Sequence, residues 1–130
     1  MIQGIGVDTV DIARFEQQLD RAPKLNARLF TAREEELELA SRAARFAAKE
    51  ALIKALGGSH DLSWHDLEVP RIPKTAPTFT RTAGLNRVLA QRGADTVHLS
   101  LTHDGGMATA FVVLEGGQLP TVEDSDGDDE

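Results

Sequence analysis

Two carboxylates stand where their types and spacing can do chemistry. Asp8 closes the segment Gly4-Ile5-Gly6-Val7-Asp8. In a strand, Gly4, Gly6 and Asp8 share one face and Ile5 and Val7 the other, so one face is nearly bare and ends in an acid. A bare face lets another backbone or a ligand come close. Glu50 follows Leu39, Ala43 and Phe46 and precedes Ile53 at steps of 4, 3, 4 and 3, a single helical stripe. A carboxylate in that apolar row needs a cation, either a side chain or a metal ion, because burying an unpaired charge is costly. Plainer uses stay open for both: Asp8 as the cap of a following helix, and Glu50 as the partner of an arginine or of Lys54.

Arg45, Lys49 and Lys54 surround Glu50 on the same segment. Lys54 rises beside Glu50 at i+4, while Arg45 and Lys49 form another i, i+4 pair on a different side. A carboxylate for Mg²⁺ flanked by cations for phosphate oxygens is what a polyphosphate–metal site requires. A solvated charged face is the other use of such a run. Further on, Ser100-Leu101-Thr102-His103-Asp104 places hydroxyls and a histidine at a strand end, where they can take phosphate or ribose or simply form a turn. No G-x-S-x-G elbow, Walker A, G-x-G-x-x-G or H-E-x-x-H is present, and there is no cysteine. Thiolate metal sites, disulfides and cysteine nucleophiles are thereby excluded, and a nucleophilic serine hydrolase is disfavoured.

A third feature is electrostatic. Arg14, Arg21, Lys24, Arg28 and Arg33, with Phe15, Leu29 and Phe30 interleaved, form the main basic stretch. Such a mixture suits docking an acidic protein. As a nucleic-acid patch it is short and lacks a recognised module. The formal net charge of −7 points elsewhere, because residues 123–130 hold six acids and no base; without them 15 acids face 14 bases. The body is therefore near neutral, followed by an acidic tail of a composition that does not fold.

These groups need elements to position them. Ile2–Val7 reads as a strand, followed by a helix carrying Ile12, Phe15 and Leu19 inward, with Asp8 or Thr9 as its cap and Pro23 at its end. Residues 32–56 read as one long helix or two abutting ones, with Thr31 and Glu34 as a capping box and Gly57-Gly58 as the stop. Leu67–Ile72 and the stretch near Thr78–Thr80 alternate like strands, but Pro70, Pro73 and Pro77 move them to an edge or into loops. Residues 84–92 form a short helix, and Val97–Thr102 and Met107–Leu114 a hairpin turning at Asp104-Gly105-Gly106. The expected architecture is one α+β domain over residues 1–115, a long helix on a mostly antiparallel sheet, with residues 116–130 as a disordered tail. No apolar run has the length of a membrane span, so neither membrane nor nucleic acid is an expected partner and a cytoplasmic protein is the default.

The order of the motifs is more specific than any one of them. Gly4-Ile5-Gly6-Val7-Asp8-Thr9-Val10-Asp11-Ile12, then Phe30-Thr31-Ala32-Arg33-Glu34, then Arg45-Phe46-Ala47-Ala48-Lys49-Glu50-Ala51-Leu52-Ile53-Lys54-Ala55-Leu56-Gly57, then Trp64–Val69 and His98–Asp104 resemble the holo-acyl-carrier-protein synthase family over residues 1–114. The resemblance implies the 4′-phosphopantetheinyl transferase fold, coenzyme A and an apo acyl carrier protein of fatty-acid or polyketide synthesis as substrates, and Mg²⁺ as cofactor. It implies Asp8 and Glu50 as metal ligands and, with Lys54, as the catalytic group. Arg45, Lys49, Lys54, Gly57, Thr102 and His103 would bind the coenzyme A phosphates and nucleotide. Arg14, Arg21, Lys24 and Arg28 would dock the carrier, and the assembly would be a homotrimer with sites between subunits. The general base is left open between Glu50 and a metal-bound water. Departures from the family pattern are the short stretch between Phe30-Thr31 and Arg45-Phe46, Gly57-Gly58-Ser59 after the helix, and Asp104, an acid beside the implied phosphate site. Two rival functions remain at this level: another Mg²⁺-dependent enzyme cleaving a coenzyme A or nucleotide pyrophosphate, and a non-catalytic module that binds acidic proteins.

Overall fold

The structure, a computed structural model, describes residues 1–117. Strand β1 (Ile2–Asp11) leads into helices α1 (Ile12–Arg21), α2 (Leu25–Leu29) and α3 (Ala32–Glu35). The long helix α4 (Leu39–Leu56) follows, then a 3-10 turn at Trp64–Leu67, helix α5 (Ala83–Gln91) and strands β2 (Thr96–Asp104) and β3 (Met107–Glu115). The sheet is antiparallel in the order β1-β3-β2. Gly105 and Gly106, with φ of +57° and +78°, make the two-residue turn of the β2–β3 hairpin, a conformation that favours glycine.

Helix α4 lies across one face of the sheet. Its alanines make this close packing possible: Ala43, Ala44, Ala47, Ala48, Ala51 and Ala55 are all buried. The bare face of β1 completes the contact, since a Cβ at Gly6 would stand 1.9 Å from the Ala51 carbonyl oxygen and one at Gly4 2.2 Å from that of Ala55. The period-two reading of Gly4, Gly6 and Asp8 thus describes how backbone meets backbone. Helix α4 ends in a Schellman turn, Gly57 N–H to Lys54 O at 3.1 Å and Gly58 N–H to Ile53 O at 3.0 Å, with Gly57 left-handed at φ +81°.

Several expectations need correction. Neither Asp8 nor Thr9 caps α1. Strand β1 continues to Asp11, which pairs with Met107 and whose Oδ1 accepts the Arg14 N–H at 3.0 Å. The alternation of Gly6, Asp8 and Val10 toward α4 extends the strand past the point where the first acid suggests a cap. Helices α3 and α4 are separate, with the Thr31–Glu34 capping box starting α3 as expected. Residues 68–82 form no strand; they run as a strap joined to the core by bonds such as Thr80 N–H to Glu68 O at 2.8 Å. Gly116 and Gly117, expected to begin the tail, are still held, by Met1 O at 2.9 Å and Asp95 Oδ2 at 3.1 Å. The rest of the expected acidic tail lies outside the described residues.

Candidate functional site

Six of the residues singled out from sequence divide between two clefts. The first, about 240 Å³, is walled by the end of β1, the start of α1 and the middle of α4, and Asp8, Asp11, Arg14 and Glu50 line it. The second, about 310 Å³, lies between the start of α4, residues 70–78 and the end of β2, where Arg45, Arg71, Thr102 and His103 line it. Arg45 and Glu50 are five residues apart on α4, about 140° around its axis, so a single helix aims them to different sides.

In the carboxylate cleft the three acids differ in what already holds them. Asp11 caps α1. Asp8 Oδ1 accepts Lys54 Nζ at 3.0 Å, and the same ammonium bonds Val7 O at 3.0 Å. Glu50, half-buried, has no hydrogen-bond or ion-pair partner among the described residues. Its expected Lys54 partner has turned to Asp8. Burial and then the Asp8 charge push the Glu50 carboxyl above its ordinary value, with Lys54 opposing. The row Leu39, Ala43, Phe46, Glu50 and Ile53 is less buried than the sequence suggests, for only Ala43 is fully enclosed. Phe46 supports the cleft floor by stacking on Phe15 at 5.2 Å.

Among the described residues no group of three or more His, Cys, Asp or Glu is arranged to hold a metal. Two acids are enough for Mg²⁺, which takes one or two carboxylates and completes its shell with water and substrate phosphate. An unpartnered carboxylate facing a second one is a donor set that such an ion fits.

The basic cleft brings Arg45, Thr102 and His103 together, as the sequence reading expected. Asp104, which seemed to oppose a phosphate there, falls on the other face of β2 from His103 and does not line the cleft. Sequence reasoning missed Arg71, Thr75 and Thr78 on the strap; the prolines around them signalled only a loop.

One expected nucleotide contact is structural instead. Lys49 is fully buried, and its Nζ donates to Glu34 Oε1 at 2.7 Å, Leu29 O at 2.7 Å and Trp64 O at 3.1 Å. Burial pulls its ammonium below the usual lysine range, opposed by Glu34. Gly57, also expected at the nucleotide, is the exposed helix stop of α4 and lies outside both clefts. Glu34 carries the network onward by accepting Val69 N–H at 2.8 Å, while Val69 O accepts Arg45 Nε at 3.0 Å. Nearby Glu68, pushed up by burial, is nonetheless held down to about 2 by Arg33, Thr31 and Thr80. Arg33 is thereby drawn from the basic stretch, leaving Arg14, Arg21, Lys24 and Arg28 exposed along α1 and α2.

A single antiparallel sheet under an alanine-rich helix, with paired acids at their junction, defines a class that comparison confirms. The chain belongs to the 4′-phosphopantetheinyl transferase superfamily, whose sequence model matches residues 4–112. Its relatives there are holo-[acyl-carrier-protein] synthases. One from Clavibacter sepedonicus is 55% identical over 116 residues, covering 89% of this chain and 98% of the relative. The crystal structure of the Neisseria meningitidis synthase is similar with a TM-score of 0.79 at 29% identity, covering 88% of this chain and 99% of that one. The Helicobacter pylori synthase in complex with coenzyme A gives 0.74 at 33% identity, covering 85% and 99%.

Proposed function

We propose that the chain transfers the 4′-phosphopantetheine group from coenzyme A to a serine of an apo acyl carrier protein, with Asp8 and Glu50 holding Mg²⁺. The products are holo carrier protein and adenosine 3′,5′-bisphosphate. The observation that carries the site assignment is Glu50: a half-buried, unpartnered carboxylate beside Asp8 and Lys54. Bound between the two acids, Mg²⁺ would neutralise pyrophosphate oxygens and lower the cost of the charge that builds as the bond breaks.

The serine oxygen forms a new bond to the phosphorus next to pantetheine, and the bond from that phosphorus to the bridging oxygen breaks. The bridging oxygen leaves with the nucleotide. Glu50, the carboxylate of this cleft with no hydrogen-bond donor among the described residues, is the side chain freest to take the serine proton, with a metal-bound water as the other acceptor. Lys54 supplies positive charge for the leaving phosphate. Arg45, Thr102 and His103 hold the nucleotide end in the basic cleft. Arg14, Arg21, Lys24 and Arg28 dock the acidic carrier, and Arg14 does so from the rim of the carboxylate cleft itself.

The two clefts face different sides of α4, and a homotrimer brings the basic cleft of one copy to the carboxylates of the next. Support comes from the uncovered sheet face, where Ile5, Val7 and Phe111 are 59%, 52% and 47% exposed and Val7 pairs with Phe111. Among the described residues no helix is long and apolar enough to cross a membrane. Coenzyme A and an acyl carrier protein as substrates support a cytoplasmic reaction in fatty acid or polyketide synthesis.

Intact-mass spectrometry of an apo carrier protein, incubated with the chain, coenzyme A and Mg²⁺, tests this reading. A gain of one phosphopantetheine unit on the carrier serine, lost on chelation of Mg²⁺, is expected. An unmodified carrier with a phosphate product released would instead support pyrophosphate cleavage.

A further inference from the structure

Helix α2 and its N-cap carry Lys24 and Arg28 of the basic stretch, yet little in that segment holds itself in place. The helix has five residues, buries only Leu29, and its N-cap Lys24 makes no side-chain bond. A helix of that length has no stability of its own and takes its position from tertiary contacts. Here those contacts include three polar bonds from two other elements. Lys49 Nζ donates to Leu29 O at 2.7 Å, and Arg42 Nη1 donates to Asn26 Oδ1 at 2.6 Å. His65 Nε2, on the 3-10 turn, donates to Ala27 O at 2.8 Å. Arg42 and Lys49 stand two turns apart on one side of α4, so a single helix grips α2 near its start and at its end.

Lys49 has nothing left for a ligand. Its three ammonium hydrogens go to Leu29 O, to Glu34 Oε1 at 2.7 Å and to Trp64 O at 3.1 Å. Arg42 turns its Nε to Leu37 O at 3.0 Å, which orients the fork toward Asn26, and Asn26 Nδ2 in turn donates to Glu35 Oε1 at 3.1 Å. Lys49 directly precedes Glu50 on the same helix. Its bond to Leu29 O therefore sets how far α2 lies from the cleft of Asp8 and Glu50. Helix α1 is held separately, by Phe15 against Phe30 and Phe46.

We propose that Lys49, Arg42 and His65 are positioning residues for the acyl carrier: they fix α2, and with it Lys24 and Arg28, against α4 beside Glu50. The inference rests on the reading of α1 and α2 as the carrier-docking surface. Charges across an interface fix the register of the partner, and a misplacement of about 1 Å is enough to cost a reaction that works by position. The Lys49–Glu34 pair acts through geometry, since a buried ion pair adds little net stability over apolar residues of the same size.

Steady-state transfer kinetics of the full chain, with apo acyl carrier protein and coenzyme A each varied, test the proposal. Arg42→Met/His65→Ala removes the two outer anchors, and Glu34→Gln/Lys49→Met removes the buried one. Glu34→Gln keeps a carbonyl oxygen for Val69 N–H, so the contact that anchors Arg45 stays. Both variants should raise KM for the carrier by about 10-fold and leave KM for coenzyme A within about 2-fold, with circular dichroism unchanged. Lys24→Gln/Arg28→Gln should raise carrier KM in the wild-type background and add little in either variant background, the non-additivity of residues that act together. Should Glu34→Gln/Lys49→Met fail to fold, the outer-anchor variant decides by the same readings, because His65 is exposed and Arg42 half-buried. Equal rises in both KM values, or an unchanged carrier KM in a folded variant, overturn the proposal. A Lys24→Gln/Arg28→Gln effect of the same size in every background also overturns it, while leaving the docking reading intact. No such effect in the wild-type background sinks the docking reading of α2 and the proposal together.

Discussion

Lys54 stands one turn after Glu50 on α4, yet its ammonium crosses to Asp8 Oδ1 at 3.0 Å and leaves Glu50 without a partner. The arrangement puts one neutralised and one unneutralised carboxylate in the same cleft. Lys54 is more than half exposed, so its bond to Asp8 contributes little to stability and leaves the lysine free to meet a phosphate.

Glu50→Gln should therefore separate catalysis from stability. Removing an uncompensated, half-buried charge should leave the urea midpoint equal to that of wild type or slightly above it. Transfer to the carrier should fall by about 10²–10⁴-fold. A large fall in the urea midpoint would show that Glu50 has a structural partner, contrary to its geometry here.

Gly6→Ala tests the contact that brings Asp8 to α4. The added Cβ would lie 1.9 Å from Ala51 O and 2.9 Å from Ala55 N, backbone atoms that cannot rotate away. Separating strand from helix should cost about 3 kcal/mol or more, measured by chemical unfolding. Gly105 and Gly106 give a Cβ open space, so alanine there should cost only the strain of a positive φ.

Much of this was legible because it is periodic. The alternation in β1 put Gly4, Gly6 and Asp8 on one face, and the glycine pair at 105–106 located the hairpin turn. Lys49 was not legible in the same way. Its spacing from Arg45 and Glu50 is that of a surface charge cluster, and nothing local reveals that the carboxylate of Glu34, fifteen residues earlier, is buried beside it. The pair forms because the core closes over α4 on both sides, a fact of tertiary packing. Arg71 escaped for a related reason: a proline-rich strap has no period, so only the fold shows which cleft it walls.

The Glu68 contacts should make the strap sensitive to acid. The folded carboxyl is held at about 2 against an ordinary 4.5, so its contribution is present above about 4.5 and is lost as pH falls toward 2. Urea midpoints measured across that window should decline with pH in wild type and decline less steeply in Glu68→Gln. Parallel slopes would show that Glu68 is not held down as its contacts with Arg33, Thr31 and Thr80 imply.

Subunit complementation tests the assembly of complete sites. Asp8→Asn damages the carboxylate cleft and His103→Ala the basic one. Chains carrying one change each, unfolded together and refolded as a mixture, should recover transfer that neither shows alone. No recovery, with mixed assemblies verified by native mass spectrometry, would mean that each copy works from its own two clefts.

Metal binding tests the central assignment most directly. Electron paramagnetic resonance of Mn²⁺, used in place of Mg²⁺ with coenzyme A present, should show one bound ion per chain in wild type. Asp8→Asn and Glu50→Gln should each weaken that binding by about 10-fold or more, with circular dichroism unchanged. Mn²⁺ bound as tightly by either folded variant as by wild type would contradict the placement of the ion between Asp8 and Glu50.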